Sequence, residues 1–386
     1  MSDQPDVCVV TYPVGAAAIA IEDLLKTLSS ITTVSLITAG IEDRSSMPDD
    51  CEVVILSESD TGKGIVVAAV RYVLNQLRMC NALRKRDEEV IIFYGATSYL
   101  LPILFARLLG KTVVLEPRGD VPLSLKITWQ QRLPDVVANV LAGSVALFEG
   151  LGYRVATGII TYTPAMAEQL GLDRYEEKLY TNGARFVDTE QFDVRVPYEE
   201  REKAVGFIGR LDAEKRIPEL ATAARQLPDD MQFVFVGDGD YREMLEQELA
   251  EEIDQGSVEV VGWVDREEVP EQLNRLRLQI VPSHPTEGLP TAILEGMACG
   301  TPAYATAVSG VPDVVRDGET GFLMDNVEGE VIATDIEAIF EGEDLAAVSR
   351  NARALIEEEY SFEGAVERYT AILTDIAAGN NGRSQT

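Results

Sequence analysis

Histidine is almost absent. His284 is the only one in 386 residues, which excludes a histidine-rich metal centre and any mechanism needing two imidazoles. Cysteine is scarce as well: Cys8, Cys51, Cys80 and Cys299 show no C-x-x-C spacing. Neither a zinc site nor a disulfide framework is indicated, and four reduced core thiols are expected. No apolar run reaches the ~20 residues needed to span a bilayer. The longest, Val136 to Phe148, is interrupted by Asn139, Gly143 and Ser144, and the stretch from Trp129 to Leu151 is expected in the core, with a share in a membrane contact as the alternative. The opening Met1-Ser-Asp-Gln-Pro-Asp6 is polar and acidic, unlike a secretory leader, so a cytoplasmic location is expected.

Positive charge is also in short supply. The chain has 33 basic residues against 65 acidic ones, a net charge of −32, and only 8 of the basic residues are lysine. The acids are spread along the chain rather than gathered in a tail. Such a surface repels the phosphate backbone, so general nucleic-acid binding is excluded. It resembles the surfaces of proteins from salt-loving organisms, because molar salt shortens the Debye length to ~3 Å and screens self-repulsion.

What is present is a repeated alternation of short apolar runs with helical segments. Val7–Thr11, Val34–Thr38, Glu52–Leu56, Val90–Tyr94 and Thr112–Leu115 read as strands, with helices between them over 17–28, 65–86 and 98–109. A second series follows the polar run Glu199-Glu-Arg-Glu-Lys203. Its strands are Ala204–Ile208, Gln232–Val236, Val258–Val261, Gln279–Val281 and Pro302–Ala305. Its helices cover 217–226, 242–253, 269–276 and 291–298. Buried runs that alternate with helices imply parallel sheets covered on both faces. A chain of this length suits two domains. The expected class is α/β with two Rossmann-like domains, residues 1–183 and residues 184–361, and a last helix at 362–378. The tail 379–386 is expected to be disordered.

The most informative stretch is Glu287-Gly-Leu-Pro-Thr-Ala-Ile-Leu-Glu295. Proline suits a first helical turn, so a helix is expected from Pro290 to near Gly300. Glu287 then sits at the helix mouth and Glu295 lies inside it. Backbone N–H groups at Leu289, Thr291 and Ala292 would face outward beside Gly288, an arrangement that favours phosphate. Upstream, Gly209-Arg210-Leu-Asp-Ala-Glu214-Lys215 follows a strand and places two cations beyond its end. Phe235-Val-Gly237-Asp-Gly239 and Val261-Gly262-Trp-Val264 are further strand–glycine turns. Asp238-Gly-Asp240 has the spacing of a metal–nucleotide motif but reads as a turn. Ser57-Glu-Ser-Asp-Thr-Gly62-Lys-Gly64 lacks the full phosphate-loop pattern and reads as a loop.

Taken in order, these motifs resemble the retaining GT-B glycosyltransferases, specifically glycosyltransferase family 4. The resemblance implies two facing Rossmann-like domains with parallel sheets, and a terminal helix that returns to the first. It implies a metal-independent hexosyl transfer from a nucleotide-diphosphate sugar, which is a co-substrate rather than a cofactor. Glu287 would contact the donor sugar and phosphate. Glu295 would grip the ribose, and Arg210 and Lys215 would hold the diphosphate. Gly209, Gly237, Gly288, Leu289, Thr291, Ala292 and Val264 would line the donor site. Thr181-Asn182-Gly183 resembles the family's hinge and is expected to be a tight turn with positive φ. On the acceptor side Gly15 survives from a glycine-rich turn. Arg118 and Asp120 follow a strand where many members carry a histidine that this chain lacks, and Glu116 is an alternative there.

The acceptor implied is a glycan or a polyprenyl-phosphate-linked glycan in cell-surface or glycoprotein assembly. The segment 65–86 carries Arg71, Arg78, Arg84, Lys85 and Arg86 and no acid. It is either a helix with well-placed cations or a contact with an anionic membrane surface or a lipid-phosphate acceptor, which would put the chain at the inner face of the membrane. Two other readings stay open: a phosphorylase or epimerase on the same fold, and a non-catalytic nucleotide-sugar-binding scaffold.

Overall fold

A computed structural model describes residues 4–12, 18–39, 51–56, 65–130, 132–183, 185–342 and 344–383. Gly15 and the 57–64 loop lie outside the described residues. The chain divides into two compact units, Met1–Arg185 with Ala365–Thr386, and Phe186–Gly364.

The first unit runs β1 Val7–Thr11, α1 Ala18–Ser29, β2 Val34–Thr38, β3 Glu52–Ile55, α2 Ile65–Leu83, β4 Val90–Tyr94 and α3 Leu100–Leu108. It continues through β5 Thr112–Glu116, α4 Val121–Gln130, α5 Asp135–Val155, β6 Gly158–Ile160, α6 Pro164–Gln169 and β7 Leu179–Tyr180. Its seven strands are ordered β3-β2-β1-β4-β5-β6-β7, all parallel. β1 and β4 are buried at every residue. This is what continuous Val/Ile runs require when helices cover both faces.

The second unit runs β8 Ala204–Ile208, α7 Ile217–Gln226, β9 Gln232–Val236, α8 Arg242–Glu248, α9 Ala250–Gln255, β10 Val258–Gly262 and α10 Val269–Arg275. Then come β11 Leu278–Val281, α11 Thr291–Ala298, β12 Ala303–Thr306, α12 Val311–Val314, β13 Gly321–Met324, α13 Gly329–Gly342 and α14 Leu345–Glu359. The sheet order is β10-β9-β8-β11-β12-β13, again parallel. The strand order reverses between β8 and β11. In open α/β sheets such a switch point is where ligands collect, at the carboxyl ends of the strands. α15, Phe362–Arg383, groups with the first unit from Ala365 onward. There Tyr180 Oη donates to Asp375 at 2.5 Å, and Tyr369 Oη donates to the buried Glu116.

Several expectations need correcting. The single helix over 242–253 is two, because Leu249 leaves the helical region at φ −107° and ψ 20°. Gly183 does not take positive φ. Its lack of a side chain is used for close packing instead: a Cβ there would stand 3.0 Å from Ile160 Cγ2 and 3.2 Å from the Thr161 carbonyl oxygen. The last helix reaches Arg383, so the tail is helical well past 379; residues 384–386 lie outside the described residues. The largest difference concerns 129–151. Only Ala138, Ala142, Glu149, Gly152 and Tyr153 of α5 are buried, while Val136, Val140, Leu147 and Phe148 are exposed. α5 is moreover long and apolar enough, by length and composition, to cross a membrane. α5 shows only a narrow inward stripe, and its composition does not reveal which side faces out.

Candidate functional site

The site of the second unit is assembled at the ends of β8, β9, β10 and β11. The turn after β8 begins at Gly209. Asp212 caps a short 3-10 turn, Ala213–Lys215, by accepting a bond from the Glu214 N–H at 3.1 Å. Arg216 then takes φ 51° and ψ 44°. This is the left-handed conformation a glycine adopts freely, held here by an arginine at a cost of about 1–2 kcal/mol. Its guanidinium lies 3.4 Å from His284 Nδ1, so it ties this turn to the segment after β11.

The turn after β9 presses against the first one. Leu211 N–H donates to the Asp238 carbonyl at 3.0 Å, and Tyr241 N–H returns a bond to the Leu211 carbonyl at 3.0 Å. Gly237 has φ 137°, and a Cβ there would fall 1.9 Å from the Gly209 carbonyl oxygen. Gly237 is therefore required by the packing of the two turns on each other, with or without a ligand. Val264, beyond β10, packs against the small apolar cluster made by Ala204, Val234, Val236 and Leu276.

β11 leads through Pro282-Ser283-His284 to Glu287 and α11. Pro290 is extended (φ −63°, ψ 122°) and forms the N-cap, and the first helical residue is Thr291, as the 291–298 reading has it. The first turn of a helix has N–H groups without intrahelical acceptors. Those of Thr291 and Ala292 stand here, half-buried, next to buried Gly288 and Leu289. The Gly288 carbonyl accepts a 2.7 Å bond from the Gly310 N–H, which fixes the approach to α11.

Lys215, from the first turn, reaches Glu287 although 72 positions separate them. Its Nζ is 2.6 Å from Glu287 Oε2 and 3.2 Å from Ser283 Oγ, and Ser283 donates to the same carboxylate oxygen at 3.3 Å. Burial pushes the Glu287 carboxyl up. The Lys215 charge and bond, the Ser283 hydroxyl and the Arg210 charge outweigh it, and the group is held below the usual carboxylate range. Glu287 is therefore ionised at neutral pH. Arg210 is about half exposed and folds back on Asp212 at 2.7 Å and Glu214 at 3.5 Å. Burial, together with the charges of Asp212 and Glu287, pushes the Glu214 carboxyl up. Three carboxylates thus surround two cations, and each cation is held by an acid that an incoming anion could replace. Glu295, buried in the second turn of α11, faces Arg266 Nη1 at 3.0 Å, and the Arg266 guanidinium lies 5.4 Å over the Phe192 ring.

Of the site residues expected from the sequence, the structure joins Lys215 directly to Glu287, with Arg210 and Gly209 on the same turn. Gly237 and Val264 lie on the neighbouring turns, and Glu295 lies one helical step beyond. Ser283 and Arg266 were not foreseen. Ser283 is one serine at a strand end, and Arg266 sits in an acidic loop, so neither carried a signal of its own. On the first unit, the Arg118 guanidinium stacks 5.5 Å from the Tyr94 ring centre. Asp120 accepts the Leu123 N–H at 2.8 Å and so caps α4. Glu116 is fully buried, and its carboxyl is pushed up to about 7 by burial, opposed by the Tyr369 bond and the Arg185 and Arg118 charges.

The chain is similar to known proteins in sequence over this unit and in fold over its whole length. Residues 188–355 match the family described as glycosyl transferases group 1. The amylovoran biosynthesis glycosyltransferase AmsK of Erwinia amylovora is 26% identical over 179 residues, which is 44% of this chain and 44% of that one. The match therefore spans less than half the length of that relative. Among solved structures, sucrose-phosphate synthase of Thermosynechococcus elongatus superposes with a TM-score of 0.74 at 19% identity, covering 97% of this chain and 100% of that one. HepE of Anabaena, solved in complex with UDP, gives 0.72 at 16%, covering 96% and 100%. Likeness at this level shows the fold, which is that of the GT-B glycosyltransferases. Over residues 188–355, this chain is thus similar to the group 1 glycosyl transferases.

Proposed function

We propose that the chain is a retaining, metal-independent glycosyltransferase that moves a hexose from a nucleotide-diphosphate sugar to a glycan or polyprenyl-phosphate-linked glycan. Its setting is cell-surface or glycoprotein glycan assembly at the cytoplasmic side of the membrane. The observation that carries this reading is the Lys215–Glu287–Ser283 cluster beside the N-terminus of α11, with Glu295 buried one step further on. UDP in the HepE structure is consistent with a nucleotide donor.

In this account Lys215, Arg210 and the first N–H groups of α11 stabilise the diphosphate as the sugar–phosphate bond breaks, a preorganised electrostatic contribution. Glu287 stays ionised, orients the sugar hydroxyls and keeps Lys215 in place. Glu295 accepts the ribose hydroxyls, and Arg266 moves off the carboxylate or turns to the nucleotide. Retention without a protein nucleophile follows if the acceptor enters on the face the diphosphate leaves, with a leaving phosphate oxygen taking its proton. The reading is tested by following nucleoside diphosphate release from UDP-, GDP- and ADP-hexoses in molar KCl, together with NMR of the product's anomeric configuration. Inversion at the anomeric carbon would refute the retaining assignment.

The ion pairs around Arg210 give a second test. Asp212→Asn keeps the helix-capping oxygen and removes the charge that holds Arg210 back. Exposed pairs of this kind are worth about 0.2–1 kcal/mol. Donor KM is therefore expected to fall by about 1.4- to fivefold with kcat nearly unchanged. A KM that rises would mean that Asp212 itself serves the donor.

A further inference from the structure

We infer that the outer surface of α2, α3 and α5 docks on an anionic lipid bilayer, with α5 lying along the interface. Sixteen large apolar side chains are exposed among the described residues, and fourteen of them lie on α2, on α3 with its C-cap, and on α5. Leu108 is 85% exposed, Val140 64% and Leu147 61%. The three helices are neighbours, α2 packing on α3 and α3 on α5. Each belongs to a connection that moves the chain the same way along the sheet, and right-handed crossovers put such helices on one face. Only 28% of the most apolar window of α5 is buried inside the protein. The buried stripe is small, and Glu149 on it is bonded to Thr97, so α5 stays seated on its unit while its outer side is left uncovered.

Charge decides the occupant. The stretches 65–86, 98–111 and 121–155 carry ten basic residues and two acidic ones, leaving 23 basic and 63 acidic in the rest of the chain. One of the two acids, Glu149, is buried. Arg78, Arg84, Lys85, Arg132 and Arg154 are exposed. An uncovered apolar helix with cations beside it matches a surface whose lipids are anionic and whose interior is apolar. Placed against a second copy of itself, the same surface would set like charges face to face. The contact weighed from the sequence for 65–86, with a share from the 129–151 stretch, thereby takes in α3 as well, and it holds whether or not the second unit binds a nucleotide.

The test is flotation of the full chain with phosphatidylcholine vesicles, with and without phosphatidylglycerol, at low salt and in molar KCl. Wild type is expected to float with the anionic vesicles. Leu108→Asp with Val140→Asp and Leu147→Asp should lower partitioning by about tenfold or more at either salt, since the apolar contribution is lost. Arg78→Glu with Arg84→Glu and Lys85→Glu should do so only at low salt, where the charges are unscreened. Far-UV circular dichroism keeps folding separate from binding, and nucleotide binding by the variants keeps this surface separate from the donor site. Wild type that stays in solution with both vesicle types would overturn the inference. So would an aspartate variant that floats as well as wild type, or a wild-type dimer that the aspartates dissociate without lipid.

Discussion

Replacing Lys215 with alanine is expected to lower turnover by about 10²–10³-fold, the range for removing one preorganised group that meets developing charge. Lys215 is the buried cation of the candidate site, fixed by Glu287 at 2.6 Å and Ser283 at 3.2 Å. Its ammonium is already dehydrated and aimed before a donor arrives, so no reorganisation is needed when the diphosphate gains charge. Without it, burial is opposed only by Ser283 and the more distant Arg210, and the Glu287 carboxyl rises. In the proposed reaction the loss should deepen as pH falls, because a protonated Glu287 is the weaker acceptor for the sugar hydroxyls. Stability should change little, since the Glu287 side chain remains 31% exposed to water. Lys215→Met, which keeps the length of the stem, should be impaired as severely as Lys215→Ala. Turnover within about twofold of wild type in either variant would remove Lys215 from the reaction.

The second large effect concerns stability and belongs to the first unit. Burial pushes the Glu149 carboxyl from 4.5 up to about 7, against the Thr97 hydroxyl that donates to it, while the Asp120 charge adds to the rise. The folded-state value lies above that of the unfolded chain. The contribution of Glu149 to stability is therefore whole below about pH 4.5 and is lost as pH climbs through about 7. At ~1.4 kcal/mol per pH unit, this gap allows up to about 3 kcal/mol. Glu149→Gln keeps an oxygen for Thr97 and cannot ionise. It should be close to wild type at pH 5 and more stable by about 2–3 kcal/mol at pH 8. Trp129 lies in the first unit and Trp263 in the second. Urea unfolding followed by fluorescence in a Trp263→Phe background therefore reports on the first unit alone. Glu116 adds a slope of the same sign to both proteins, so the comparison, and not either curve, carries the test. Parallel pH dependence in the two proteins would show that Glu149 does not titrate between these limits.

The strands were legible because each is a short run of apolar, largely β-branched residues ended by polar or glycine punctuation, and a parallel sheet with both faces covered needs nothing else. α11 was legible for the same kind of reason: Gly288 and Pro290 mark its start and Gly300 its end. The pairing of Lys215 with Glu287 could not be read from spacing. It depends on β8 and β11 being neighbours in the sheet, which is a property of strand order. The break at Leu249 has no glycine or proline to announce it. Arg216 holds a left-handed turn where glycine would have been the signal. The 129–151 stretch reads as core first and as a membrane contact second, because a helix apolar on nearly all sides does not show what lies beyond it. Gly183 was assigned positive φ when its constraint is the space left by Ile160 and Thr161, a contact made only once β6 and β7 are paired.

The central claim is that the second unit holds a nucleotide between the Lys215–Glu287 cluster and Glu295. It is tested most directly by calorimetry in molar KCl, with UDP, GDP and ADP offered to wild type and to Glu295→Ala. A hydrogen bond to a charged group is worth about 1.5–3 kcal/mol. One nucleotide should therefore bind to wild type and bind the variant about 10- to 150-fold more weakly. Folded wild type that takes up none of the three, or a variant that binds as tightly as wild type, would contradict the account.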